Sequence, residues 1–340
     1  GTTGHTEAER KRILACTPAL PVLRAGNYYR IMASTSVPGS SVNTSDGGRV
    51  GRRFALGALP FLARATGDEE LGALTATLLR PDAHDEIQGA GELLANGPDT
   101  LPEPDVPAPI FHIMSDIGMA CSNRRVKGSP VRIQFVGAKA HAGHGHEDKG
   151  SIVVEAFGEE LLCDRGTCFY GDVRSHLLKF SWRHNTLTPN DAEGRPLHQT
   201  NPLPEAAIPE GHGDERTLDV TIDLRPAWPE WVSECTRAVT SDDPGRIEVI
   251  DHCVFAEAHS VSVHFNSRFP WKQEEGGWSI QGERSRLVVA PDWKLDRVES
   301  REDLFDSAYQ PVYRLSLFTP EATAFDLKTT ITVECTSASS

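Results

Sequence analysis

Three of the chain's thirteen histidines fall within six residues, in His141-Ala142-Gly143-His144-Gly145-His146-Glu147-Asp148-Lys149-Gly150-Ser151. Imidazoles gathered so closely can ligate a metal or carry protons near neutral pH. If the stretch is extended, His144 and His146 stand two apart and point to one side. Downstream, residues 151–157 and 160–164 flank Gly158-Glu159, a Gly-X pair that favours a hairpin turn. Pairing across that turn sets Asp164 opposite Val153 and returns a carboxylate to the end where the histidine segment enters. His184, in Trp182-Arg183-His184-Asn185-Thr186, offers a third donor. His146, Asp164 and His184 are therefore a candidate zinc set of two imidazoles and one carboxylate, with water in the fourth place. Calcium and magnesium prefer all-oxygen shells and fit less well. The same residues also allow a plainer reading, a Gly/His surface loop with Asp164 capping a turn.

The elements that must position these groups differ between the two ends of the chain. Residues 1–100 carry helical patterns, among them 6–16, a Phe/Leu/Ala-rich run at 52–65 divided by Pro60, a stretch capped by Asp68, and 83–95. Residues 96–109 are rich in proline and read as a linker. From 110 to 340 short β-branched or alternating runs take over, at 131–136, 151–157, 217–224, 246–250, 260–265, 278–281, 286–290, 313–318 and 329–333. The expected fold is mainly β: an antiparallel β-sandwich over 110–340, preceded by a short α-helical segment over 1–100.

Composition narrows the partners. A net charge of −14 argues against nucleic acid, which needs a basic face, and no apolar run approaches the length of a membrane span. One local exception exists: residues 117–146 contain no Asp or Glu but include Arg124, Arg125, Lys127, Arg132 and Lys139. That window is either a surface for an anionic ligand or a strand edge carrying protective cations. The seven cysteines form no C-x-x-C motif and are expected as buried thiols. The first residues show no initiator Met or signal segment, so they are expected to be an internal cut point or a processed end.

The string His144-Gly145-His146-Glu147-Asp148, followed by Ser151, Ala156, Gly158, Leu162, Asp164, Gly166 and Tyr170 and then His184-Asn185-Thr186, resembles the signature of the heparinase II/III-like polysaccharide lyases. The similarity is specific in the central third of the chain. Weaker similarity runs upstream through Asp46-Gly47-Gly48-Arg49 and Thr66-Gly67-Asp68. It implies that the helical segment resembles the end of an (α/α) toroid, and that a zinc ion, structural in role, is held by His146, Asp164 and His184. It further implies that His144 faces the sugar and acts in catalysis or uronate binding, with Tyr170 beside it. The family's toroid usually supplies a catalytic tyrosine from well upstream. Neither Tyr28 nor Tyr29 matches it, and both are expected to pack at a helix end.

The implied reaction is β-elimination in a uronic-acid polysaccharide, in which a proton leaves C5 and the glycosidic oxygen departs from C4. Such chemistry needs a cation or donor for the carboxylate, a base and an acid. His144 and Tyr170 are suited to the proton work, and Arg124 and Arg174 to substrate binding, with Arg183 a further cation. An anionic polysaccharide or oligosaccharide is the expected partner, and that substrate class alone favours a secreted or periplasmic location. Two other classes remain open. One is a non-catalytic, zinc-stabilised carbohydrate-binding or structural sandwich. The other is a zinc hydrolase with Glu147 as base, although H-E-x-x-H spacing is absent.

Overall fold

A computed structural model describes residues 111–115 and 117–336. The expected helical segment, the linker, Tyr28 and Tyr29 lie outside the described residues. Within them the chain is an antiparallel β structure, as expected. β1 (Phe111–Met114), β2 (Met119–Val126), β3 (Ser129–Val136), β4 (Ser151–Ala156) and β5 (Glu159–Leu162) form a meander in sequence order. The larger sheet holds β6 (Leu187–Asn190), β7 (Glu210–Gly213), β8 (Leu218–Asp223), β9 (Val232–Asp243), β10 (Arg246–Ser267), β11 (Lys272–Glu274), β12 (Gly277–Gln281), β13 (Ser285–Pro291), β14 (Arg297–Phe305), β15 (Pro311–Phe318) and β16 (Ala322–Cys335). Its main path runs β11-β12-β13-β16-β10-β9-β8-β7. Among the described residues, no helix is long and apolar enough to cross a membrane.

β10 is the spine. The sequence suggests two short strands, at 246–250 and 260–265. The structure instead carries one 22-residue strand through both. Its first half pairs with β9 and β16, and its second half with β6 and β15. An irregularity between Val254 and His259 marks the change of partner. Bulged strands bend, so a single strand can serve two patches of sheet. Before the bulge, burial alternates and Ile247, Val249, Cys253 and Phe255 point into the core; after it, 261–267 are buried throughout.

The two sheets share one apolar core. Ile133, Phe135, Ile152 and Val154 from the meander join Val220, Val239, Ile247, Leu287 and Ile331 from the larger sheet. Sequestering such side chains from water is the main favourable term in folding. The six described cysteines are free thiols, five of them buried, and burial pushes the Cys163 thiol up to about 12.

The β4–β5 hairpin turns at Phe157-Gly158, one residue earlier than the sequence suggests. Both turn residues have positive φ, 53° and 83°, the requirement of a tight hairpin turn. A bulge then pairs Val154 with Leu162, so the chain beyond β5 carries Asp164 past Val153. The carboxylate still returns to the end expected.

On the core-facing side of β9 and β10, Arg237 and Asp251 stand directly opposite each other among apolar neighbours. Arg237 Nε and one terminal nitrogen donate to the two Asp251 oxygens at 2.6 and 2.9 Å, while the other donates to Gly150 O and Asn185 O, both at 2.8 Å. Breaking a buried pair strands a charge, so Asp251→Asn is expected to lower stability by roughly 3–5 kcal/mol. A urea midpoint that stays at the wild-type value would contradict this account of the anchor.

Candidate functional site

The histidine segment lies in the connection between β3 and β4. Its far end is held by a dense set of bonds to residues 179–201. Glu147 N donates to Lys179 O at 2.7 Å, and the Glu147 carboxylate accepts from Ser181 N, Gln199 N and His198 Nδ1 at 3.2, 3.3 and 2.8 Å. Gln199 forms a reciprocal pair with Lys149, its Oε1 accepting from Lys149 N at 3.2 Å and its Nε2 donating to Lys149 O at 3.0 Å. Lys149 is itself buried, with its ammonium on His146 O, on Asn201 Oδ1 at 3.3 Å and near Asp148 at 3.7 Å. Gly150 is required where it stands: its φ is +82°, and a Cβ there would lie 2.7 Å from Leu224 Cδ1.

This scaffold brings His146, Asp164 and His184 into one node, all three fully buried. The two imidazole rings are 5.3 Å apart between centroids, and His184 Nδ1 is 2.8 Å from Asp164 Oδ2. Asp164 Oδ1 accepts from Gly166 N at 3.0 Å, which fixes the carboxylate. Burial pulls the His184 pKa down, but the charge and hydrogen bond of Asp164, with Asp148 behind, outweigh it and the net shift is upward. His184 Nε2 is buried with no hydrogen bond. An imidazole that gives one nitrogen to a carboxylate and leaves the other open is the usual posture of a metal-ligating histidine. The donor types therefore suit zinc. Asp164, however, is engaged with His184 itself, and among the described residues no group of three His, Cys, Asp or Glu side chains is arranged to hold a metal ion.

Asn185 and Asn266 set the node in place. The Asn185 amide donates to Ile152 O at 2.7 Å and Cys163 O at 3.0 Å, and its Oδ1 accepts from Asn266 N at 2.6 Å. Asn266 O in turn accepts from Cys163 N at 2.9 Å. The residue before Asp164 and the residue after His184 are thus tied to β4 and β10. The sequence reading noted Asn185 only as part of a motif and missed Asn266, a polar residue within a strand whose partners are distant in the chain.

His144 is separated from His146. Its φ is +57°, so the chain is not extended there, and it is exposed while His146 is fully buried. The expectation that both point to one side is corrected by this reversal. Tyr170 is 60% exposed in a loop with Phe169 and Val173, and the Lys179 ammonium lies 5.6 Å from its ring centre. Arg174 is exposed, but its guanidinium forks onto Asp172 at 2.7–3.2 Å and lies over the Phe305 ring at 4.5 Å. Those bonds hold the Asp172 carboxyl down at about 2.

The basic window does not form a single ligand surface. Arg124 is buried, bonded to Ser122 Oγ at 3.2 Å and Ser241 Oγ at 2.7 Å, and burial lowers its pKa to about 10. Arg132 is buried beside Glu155 at 3.7 Å and Cys121 Sγ at 3.2 Å. Arg124 lies on the core-facing side of β2, opposite Val131, whereas Arg132 lies on the other face of the sheet with Cys121, Gln134 and Glu155; of the window's cations only Arg125, Lys127 and Lys139 are exposed. Glu147, already bonded by three donors, is a loop staple and is not placed as a free base.

Asn185→Ala would strand buried partners on three segments and is expected to cost at least about 2 kcal/mol. Equilibrium unfolding in denaturant checks this, and a loss under about half that figure would show that Asn185 does not knit the node.

No family model matches the sequence, and no curated protein matches it. Solved structures do. Heparan sulfate lyase HepC from Pedobacter heparinus superposes with a TM-score of 0.65 at 14% identity, over 90% of this chain and 46% of that one. The heparinase III BT4657 gene product gives 0.66 at 13% identity, over 90% and 45%. At such identity the likeness speaks for the fold. The chain spans less than half the length of these enzymes, and what it shares with them is a heparinase-III-like architecture.

Proposed function

We propose that this chain belongs to a polysaccharide lyase that cleaves a uronic-acid-containing anionic polysaccharide by β-elimination. The observation that carries the reading is the buried His146–Asp164–His184 node, two residues from an exposed His144, in a fold shared with heparan sulfate lyases. His144 and Tyr170, both exposed, are the proton-transfer groups: one takes the C5 proton and the other serves the departing C4 oxygen. Arg174 lies on the same loop as Tyr170 and offers a cation to the substrate, its charge moderated by Asp172. Arg124, turned inward, is not carried into this assignment. His146, Asp164 and His184 are proposed to hold a structural zinc, which would fix the loop that bears His144.

A second reading, a non-catalytic carbohydrate-binding sandwich, is favoured by one observation. Phe169, Tyr170 and Val173 form an exposed, largely apolar loop suited to contact with a sugar face whether or not a bond is broken.

The two readings separate in an assay of ultraviolet absorbance by the unsaturated uronate product, with heparan sulfate, chondroitin, hyaluronan and alginate each supplied. The lyase reading expects a rise with at least one polymer, and His144→Ala to lower that rate by about 100-fold or more. Polymer binding without any rise would favour the binding domain. Elemental analysis tests the metal: zinc should be present in the wild type and in His144→Ala, and lost from Asp164→Ala and His184→Ala. Unchanged metal content in both of the latter would remove the ligand assignment.

A further inference from the structure

Asp303, near the end of β14, is reached by three arginines from different parts of the chain. Arg165 donates to Asp303 Oδ2 at 3.2 Å and also to its backbone carbonyl. Arg183 forms a close ion pair with the same oxygen, and Arg314, on β15, approaches it at 3.4 Å. The side chains are 0%, 13% and 5% exposed for the three arginines and 8% for Asp303. Further bonds brace the group: Arg165 Nε donates to Arg183 O and Arg314 to Trp182 O, both at 3.2 Å, and Arg165 reaches Asn266 Oδ1 at 2.8 Å.

The charges do not balance. Three guanidiniums meet one carboxylate, and the next charges acting on Arg314, those of Arg301 and Glu299, are of opposite sign. Two positive charges are left in a nearly buried place, within a chain whose net charge is −14. Such an excess is unfavourable unless an anion completes it. Hydrogen bonding leads to the same conclusion independently. Arg183 Nε and Arg314 Nε are buried and have no acceptor. Buried guanidinium nitrogens normally find one, and sulfate, phosphate and carboxylate oxygens match their fork. Burial lowers the Arg314 pKa to about 10, but the group stays cationic at neutral pH.

The surroundings indicate what carries the anion. Arg183 directly follows Trp182, whose ring stacks on Phe180 at 4.6 Å and 17°, with His198 edge-on at 5.3 Å. A partly exposed aromatic pair adjoining Arg183 in the chain, with the Trp182 carbonyl accepting from Arg314, suits a sugar ring bearing an acidic substituent. We propose that Arg183 and Arg314, gathered by Asp303, form an oxyanion subsite that takes a sulfate ester or carboxylate group of an anionic sugar. This subsite stands on its own geometry and is separable from the lyase reading, since a chain without elimination activity can still bind the anion.

Calorimetric titration of the full chain with sodium sulfate, at low ionic strength, is the test. Saturable binding is expected, weakened at least about tenfold in Arg183→Gln and in Arg314→Gln. Arg286→Gln, which removes a cation paired with Glu274 and Glu334, should leave it unchanged. Arg183 is the more exposed of the pair, so its variant remains informative if Arg314→Gln does not fold. Titration with heparan sulfate and with its desulfated form then separates the sources. A loss confined to the sulfated polymer assigns the site to a sulfate ester, and an equal loss with both assigns it to the carboxylate. No saturable uptake of sulfate by the wild type, or wild-type affinity in a folded Arg183→Gln protein, would overturn the proposal.

Discussion

The Arg237–Asp251 pair is the constraint on which the candidate site depends. Both residues occupy core-facing positions in paired strands, where Val239, Cys235, Ile247, Val249 and Cys253 fill the neighbouring places. An ion pair there costs more to desolvate than an apolar pair of similar size. What sets this pair apart is the third nitrogen of the fork, which holds Gly150 O and Asn185 O together. Gly150 follows the histidine loop and Asn185 follows His184. One guanidinium thus fixes the two chain segments that carry His146 and His184, one leading into β4 of the meander and the other into β6 of the larger sheet. The Asp251 carboxylate keeps the fork in the one orientation that does this.

The asparagines extend the arrangement. Asn185 reaches β4, the end of β5 and β10, and Asn266 passes the connection on to Arg165. Each has a carbonyl acceptor and an amide donor, so a single side chain can satisfy strand ends that regular ladder pairing leaves open. The node is rigid through neutral amide bonds and one buried ion pair, before any metal is considered. Its geometry and its charge are set by different residues: Asn185, Asn266 and Arg237 give the position, while Asp164 and Asp148 raise the affinity of His184 for a proton.

Much of the fold was legible because the relevant signals are local. The runs at 131–136, 278–281 and 286–290 fall within β3, β12 and β13, and the bunching of His144 and His146 with Asp164 and His184 led to three residues that do meet. Strands such as β9 and β14 were not legible, since Arg237 takes a core-facing place in β9, and β14, which holds Asp303, is polar over most of its length. These same residues turn out to carry the long-range contacts. The burial of Arg124 and Arg132 was missed for a related reason: a window without acidic residues reports charge along the chain, whereas packing on both faces of β3 decides which charges meet solvent. The reversal at His144 depends on a single backbone angle that no pattern of residue types specifies.

Burial orders the chemistry around the node. His146, Asp164 and His184 are fully enclosed, and the Arg165–Arg183–Asp303 contacts begin one residue away from Asp164 and His184. A carboxylate-bearing centre is thereby set against a cationic one, with the short connections Asp164-Arg165 and Arg183-His184 spanning both. Outside this enclosed layer lie His144, Tyr170 and Arg174, all exposed to solvent. The layer beneath these exposed side chains is held by bonds that solvent does not reach.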